Sequence, residues 1–168
     1  MKVFGGMLAF VSVVLFLLWG GVRFYKAEVT WEQNVHGHLK RAADANTIQL
    51  AKEELETALK YVEANNITSG YTSIIWNTPD EDIGFWYRNL KESLAELEKC
   101  EAGCTTQLEQ TNVLMKLRET LLDEGQSVSV TDPTGISIFP SNTAFMWWAI
   151  LSFVFAVIGV IMIAADQY

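Results

Sequence analysis

The two histidines, His36 and His38, are the first residues to consider for chemistry, because imidazole is a common ligand of metals and of haem. Two positions apart on a helix, their side chains point to different sides, so they cannot chelate one metal ion together. One of them could ligate haem beside Trp31, although a surface position is the ordinary interpretation. No serine or cysteine stands at a spacing typical of a nucleophile paired with a histidine. The pattern predicts that the protein is not an enzyme and binds no cofactor and no metal.

The only two cysteines, Cys100 and Cys104, lie four positions apart in the sequence KCEAGC. A structural zinc site needs four ligands, and no further cysteine or histidine lies near this pair. A disulfide requires a turn between the two residues and an oxidising compartment, because reducing compartments keep thiols free. The sequence leaves both alternatives open, a disulfide and two free thiols.

Three consecutive acidic residues, Asp80, Glu81 and Asp82, could suggest a calcium site. A calcium-binding loop, however, alternates its oxygen ligands and needs a glycine bend. The preceding Thr78 and Pro79 are typical of a helix start, with a capping threonine, a proline at the first position and a glutamate at the third. We therefore predict that the acidic run caps a helix.

Aromatic side chains are concentrated in the seventeen positions 71–87. Aromatic residues beside polar ones are typical of binding hot spots, which favours a surface for a partner or ligand. The alternative is that they close one end of a helical bundle as part of its own core. The predicted interaction surface consists of Tyr71, Trp76, Phe85, Trp86 and Tyr87.

Two uncharged apolar segments, residues 3–22 and 144–165, are each long enough to cross a bilayer, which takes about 20 residues for a hydrocarbon core of roughly 30 Å. A cleaved signal peptide is the alternative for the first segment, but no small-residue cleavage site follows it. Neither segment carries an ionisable residue, which argues against an ion pathway or a proton relay. We predict two membrane helices that anchor the protein in the lipid bilayer.

Aromatic residues flank both segments on the side of the intervening chain, as at a membrane interface. This predicts a hairpin with three parts: an anchor at 1–26, an extramembrane helical domain at 27–141 and a second membrane helix at 142–168. The charges next to the spans do not decide the orientation. The short N-terminal tail and the cysteine pair favour cytoplasmic termini and an extracytoplasmic domain 27–141. The flanking aromatics are Trp19, Phe24, Tyr25, Phe145, Trp147 and Trp148.

Apolar residues at three-and-four spacing predict helices through most of the intervening domain. The first helix is expected over residues 30–64, capped by Thr30 with Gln33 and either continuous with the first span or broken near 26–30. The second runs from the Thr78 start to about Cys100, with Gly103 as its C-cap, and the third runs from Thr105 or Thr106 to before Gly125. The pattern therefore predicts a mainly α fold, an antiparallel bundle of about three long helices flanked by two transmembrane helices.

A small β-hairpin is expected near 127–139, because residues 127–131 alternate between polar and apolar side chains. The turn at 132–135 has Asp first, Pro second and Gly fourth, which is typical of a type I β-turn. Residues 136–139 would form the partner strand. This hairpin would connect the helical bundle to the second span.

The charge balance limits the partners that the domain can bind. The whole chain has 20 acidic and 12 basic residues, and residues 27–141 alone have 19 acidic and 9 basic ones. Nucleic-acid binding depends largely on clustered Lys and Arg, so no nucleic-acid partner is expected.

The absence of catalytic patterns favours a membrane-anchored protein that acts by protein contact, as a homo-oligomer or as an accessory subunit of a larger membrane complex. In architecture alone, a helical domain between two spans resembles the sensing half of bacterial chemoreceptors and sensor kinases. That resemblance implies a sensory or ligand-binding domain as the alternative, although the chain has no signalling domain of its own.

Overall fold

The computed structural model describes residues 2–124, 128–136 and 142–165. In this part of the chain the fold is mainly helical, with one small antiparallel sheet of two strands. The helices are α1 (Lys2–Arg23), α2 (Gly37–Ala43), α3 (Ile48–Ala64), α4 (Ile83–Gly103), α5 (Gln107–Leu121) and α6 (Thr143–Ala165). The strands are β1 (Leu122–Glu124) and β2 (Val128–Val130).

The helices between the two apolar ones form a bundle of four, α2 to α5, instead of the expected three. Each helix packs against the next one along the chain, and α5 packs back against α2, which is the up-down-up-down arrangement of a closed bundle. The expected helix over 30–64 is interrupted at residues 44–47. There the side chain of Thr47 accepts a hydrogen bond from the backbone N–H of Leu50 and caps the start of α3. The turn places α2 and α3 side by side and antiparallel.

The first apolar helix continues without a break into the bundle. After α1, the helix passes through two wide π-helical turns, Phe24–Val29 and Glu32–His36, and then becomes α2. Thr30 is therefore not a helix cap, as the sequence had suggested. Its backbone is helical, and its hydroxyl donates to the carbonyl oxygen of Tyr25. The prediction of Thr30 as an N-cap is wrong because the preceding residues are already helical.

The two π-helical turns keep one face of this long helix directed at its successive partners. Within α1, Gly5, Ser12 and Trp19 repeat every seven residues and face α6. If this seven-residue repeat continued, the side chains at positions 33 and 40 would be buried. In the structure these two positions are exposed, and the buried residues are Val35 and Ala42, each two positions later. A π-helical turn contains one residue more than an α-helical turn, so two of them account for this offset of two.

The starts of α4 and α5 follow the capping chemistry expected from the sequence, with one adjustment. Thr78 and Glu81 are hydrogen-bonded, but they cap only a short 3₁₀ turn, Pro79–Glu81. Helix α4 then begins one residue after Asp82, whose carboxylate accepts from the N–H of Phe85. At α5 the capping box between Thr106 and Glu109 is confirmed. Helix α4 also includes Gly103, the residue expected as its C-cap.

The core of the bundle is formed by the inward stripes of all four helices and by residues of the loops that close its ends. Burying these side chains removes apolar area from water, which is the main favourable contribution to folding. The side chains with no more than 1% exposure are Val35, Leu39, Ala42, Ala51, Leu55, Ala58, Val62, Ile67, Ile83, Leu90, Leu97 and Leu121.

Helices α1, over Val3–Arg23, and α6 are long and apolar enough to cross a membrane. Only 11% of the most apolar part of each is buried, whereas a core helix would be mostly buried. The two pack against each other where Gly5 meets Gly159. A Cβ atom at Gly159 would lie 2.8 Å from the backbone nitrogen of Ala9 and 2.9 Å from the carbonyl oxygen of Gly5. The small residues of α6 therefore serve the contact within the hairpin.

The β element differs from the expected hairpin in its partner strand. Among the described residues, strand β2 pairs antiparallel with β1, in the register Leu122↔Val130. Residues 122–124 were expected as the end of a helix, but α5 ends at Leu121 and Leu122 is extended. Pairing with β1 is favoured because it needs only a short connection to the preceding segment. Of the expected partner 136–139, Ile136 is not in a strand, and 137–139 lie outside the described residues.

Candidate functional site

A junction at the base of the bundle ties the two apolar helices to the loops above them. The indole N–H of Trp19 donates to the carbonyl oxygen of Phe145 (3.0 Å), and the guanidinium of Arg23 lies 5.3 Å from the centre of the Phe145 ring. Arg23 also donates to the side-chain oxygen of Asn142 (3.3 Å), and Asn142 in turn donates to the carbonyl oxygen of Thr72 (3.0 Å). We call these five residues the membrane junction.

A second polar cluster, which we call the indole–carboxylate cluster, lies inside the lower part of the bundle. The indole N–H of Trp31 donates to the carboxylate of Asp132 (2.8 Å), and the ring of Trp31 lies 5.9 Å from that of Trp86. Trp86 donates its own N–H to the carbonyl oxygen of Thr131 (2.9 Å). His36 approaches Asp132 to 3.7 Å. These contacts join the first helix, α4 and the segment after β2.

The carboxylate of Asp132 in this cluster has a shifted pKa. Burial raises the pKa of Asp132 above its ordinary value of 3.8, and the hydrogen bond from Trp31 and the nearby His36 oppose that rise only in part. Ser129 lines the same depression as His36 and Asp132. The contacts that the structure describes within the cluster are ring packing, hydrogen bonds and the approach of His36 to Asp132.

His38 belongs to a different set of contacts from His36, as their spacing predicted. Its Nδ1 atom lies 2.6 Å from the carboxylate of Glu54, which also pairs with Arg41. This set connects α2 to α3 on one side of the bundle. Among the residues that the structure describes, no group of three or more His, Cys, Asp or Glu side chains could hold a metal ion.

The structure divides the five aromatic residues of the predicted interaction surface. Trp86 is 7% exposed and belongs to the core, so it is not a surface residue. Tyr87 is half-buried and donates its hydroxyl to Glu63 (2.7 Å), while Tyr71 is half-buried in a bridge with Asp82. Trp76 and Phe85 are exposed. Only part of the set, at the lower end of the bundle, is therefore available to a partner.

Cys100 and Cys104 are joined by a disulfide at the end of the bundle that lies away from the two apolar helices. Their Cα atoms are 4.7 Å apart, within the range that a disulfide needs. Cys100 is the last buried residue of α4, and Cys104 begins the turn that leads to α5. The bond closes the turn between these two helices, and it lines a groove with Glu96, Glu109 and Val113.

Asp132 and Asn142 are residues whose roles sequence reasoning did not find. The sequence identified Asp132 as the first residue of a turn and Asn142 as part of a helix entry. Their main partners, Trp31 and Thr72, are 101 and 70 positions away, so no local pattern could have revealed the contacts. The only local signal was that each residue lies just outside a helix or strand, where polar side chains commonly form hydrogen bonds with nearby backbone groups.

No protein-family model, no curated protein and no solved structure matches this chain.

Proposed function

We propose that this protein is a non-enzymatic, membrane-anchored helical bundle that acts by contact with other proteins, either further copies of itself or the subunits of a larger membrane complex. Anchoring is supported by the two long apolar helices, whose outward surfaces carry large apolar side chains such as Phe10, Leu17 and Phe153. Side chains of this kind suit contact with lipid tails. The bundle then presents its other faces to the aqueous phase beside the membrane.

The observation that carries the protein-contact proposal is an exposed apolar face on α5. Leu108 and Met115 are 70% and 56% exposed, and their spacing of seven residues places them two turns apart on one side of the helix. Both lie on the bundle, away from the membrane junction. Methionine is enriched at protein interfaces, and an apolar face on a water-exposed helix gains free energy when a partner covers it.

The experiment is affinity purification of the full chain from its native membrane in polymer-bounded lipid discs, followed by mass measurement and identification of bound proteins. The variant L108S/M115S is expected to lose about tenfold in recovered partner or oligomer, which corresponds to roughly 1.4 kcal/mol of binding free energy. The matched control is L50S, which changes an exposed leucine on α3 and is expected to leave recovery unchanged.

Two results would contradict the proposal. One is a wild-type protein that is monomeric in the discs and recovers no partner. The other is an equal loss of recovery in L108S/M115S and in L50S, because such a loss would not depend on the α5 face. A thermal melt of each variant separates loss of contact from loss of folding.

A sensory function is the second candidate, and the unbroken helix from the first span into the bundle favours it. A continuous helix gives a direct physical connection between a bundle that binds a ligand and the membrane. A ligand that binds the folded bundle raises its melting temperature by mass action. A screen of small polar metabolites that produces no rise in melting temperature would contradict this alternative.

For the orientation we propose cytoplasmic termini and an extracytoplasmic domain. The disulfide between Cys100 and Cys104 supports this orientation, because such bonds persist in oxidising compartments and are rare in the cytosol.

A further inference from the structure

The loop at residues 73–77 leaves the bundle at the level where α1 and α6 begin to be apolar. Its root is held by Thr72, whose carbonyl accepts from Asn142 (3.0 Å) and whose hydroxyl donates to the carbonyl of Thr134 (2.6 Å). Because Asn142 directly precedes α6, these bonds hold the loop beside the first turn of that helix.

One residue of the loop already lies against the side of the apolar hairpin. Ile74 shares a shallow depression with Trp19 of α1 and with Phe145 and Ala149 of α6. Ala149 is six positions into α6 from Thr143, or about 9 Å along a helix that rises 1.5 Å per residue. The depression that Ile74 lines therefore extends along the first turns of the second apolar helix.

The side chains of the loop are those of a segment in contact with lipid. Ile75 and Trp76 are each 74% exposed, and Ile74 is 40% exposed, although all three are large and apolar. Residues 65–77 contain no charged side chain, in a chain of which 19% is charged. Tryptophan is enriched at membrane–water interfaces, where its apolar ring and polar N–H are both satisfied.

We propose that Ile74, Ile75 and Trp76 insert into the interfacial layer of the bilayer that α1 and α6 cross, so that the bundle rests on the membrane through a third contact. The inference rests on the membrane-spanning hairpin proposed above. Lipid is the occupant because the loop is continuous with the lipid-facing surface of the hairpin. The acidic residues Asp80, Glu81 and Asp82, which follow closely, disfavour anionic headgroups, so the insertion depends on apolar contact and takes place in neutral lipid.

The test measures the depth of a nitroxide label on I75C in discs of phosphatidylcholine. Labelling without reductant leaves the Cys100–Cys104 disulfide intact, so the introduced cysteine is the only free thiol. Accessibility to oxygen, which concentrates in lipid, is compared with accessibility to a water-soluble nickel chelate. The matched control is L50C, because Leu50 is exposed at the other end of the bundle and lies outside the α5 face proposed for protein contact. A label on F153C, on the outward surface of α6, shows whether the hairpin itself lies in lipid or in water.

We expect the oxygen-to-nickel ratio of I75C to be several-fold higher than that of L50C and to approach that of F153C. W76C, as a second loop variant, is expected to give the same result. A ratio equal to that of L50C would place the loop in water and overturn the proposal. Protection from both reagents would also overturn it, since it would mean that a protein or a second copy covers the loop.

The label on F153C separates the two failures. If it lies in lipid while both loop labels lie in water, the loop proposal fails and the hairpin stands. If it lies in water as well, the membrane-spanning hairpin fails too. A thermal melt that matches the wild type shows for each variant that the bundle is folded.

Discussion

Asp132 is a half-buried carboxylate whose cost to the fold depends on pH. Because its pKa is raised in the folded protein, the folded state binds this proton more tightly than the unfolded chain. Its contribution to stability is thus fully present below pH 3.8 and decreases as the pH rises through the raised pKa. Above that pKa the ionised carboxylate remains a constant cost, although the hydrogen bond from Trp31 offsets part of it.

We therefore predict that D132N is more stable than the wild type at neutral pH, because the amide oxygen still accepts from Trp31 and carries no charge. The advantage should diminish as the pH is lowered towards 4. Thermal unfolding in lipid discs, repeated across this pH range, checks the prediction. The control is D123N, the same change at an exposed carboxylate on β1. A D132N protein that is less stable by the same amount at every pH would contradict the argument.

For single residues, the sequence indicated which aromatic side chains could form contacts, but it did not indicate which of them are buried in the core and which are exposed. Trp86 and Phe85 are neighbours in sequence, yet one is in the core and the other at the surface. Successive residues on a helix are turned by about 100°, so which of them is buried depends on the position of the packing partners. Those partners include Trp31 and Thr131, which only the folded chain brings to this site.

Among the elements, those with local capping chemistry could be predicted, and those set by distant contacts could not. The start of α5 at Thr106 follows from threonine and glutamate at capping spacing. The break before α3 was missed because the apolar stripe continues across it and because Thr47 has no glutamate three positions later. The partner of β2 was missed because residues 122–124 also suit the end of a helix, and only the pairing with β2 favours the extended form.

The contact between the two apolar helices gives a prediction with an internal control. In G159A the added methyl group would meet the backbone of Ala9 and Gly5, so the helices must separate at an expected cost of about 1–3 kcal/mol of unfolding free energy. In G6A the same methyl group meets nothing within 4 Å, so stability should be unchanged or slightly increased. Thermal denaturation in one detergent compares the two. Equal stability of both variants would show that the close contact at Gly159 is not formed.

At the scale of the whole molecule, the mainly helical fold and the two long apolar helices could be predicted from composition and periodicity, because both are properties of the local sequence. The number of helices in the bundle could not be predicted in this way, because it depends on the one short turn at residues 44–47. The closed arrangement of α2 to α5 follows from that turn, because an even number of antiparallel helices returns the chain to the side on which it entered.

The proposed orientation predicts where Cys100 and Cys104 can be reached. Treatment of intact cells with a membrane-impermeant phosphine, followed by an impermeant maleimide, is expected to label both cysteines, and the maleimide alone is expected to label neither. Permeabilised cells serve as the control for total labelling. Labelling that requires permeabilisation, or that occurs without reductant, would contradict an extracytoplasmic, disulfide-bonded domain.

The two wide turns between α1 and α2 have a consequence for the length of the chain. Loss of one residue from an ordinary helix rotates everything beyond it by about 100° and turns the buried face outward. Loss of one residue from Phe24–Val29 or from Glu32–His36 would instead convert a π-helical turn into an α-helical one and leave the phase on either side unchanged. These two turns are therefore the places where this helix can tolerate a deletion of a single codon.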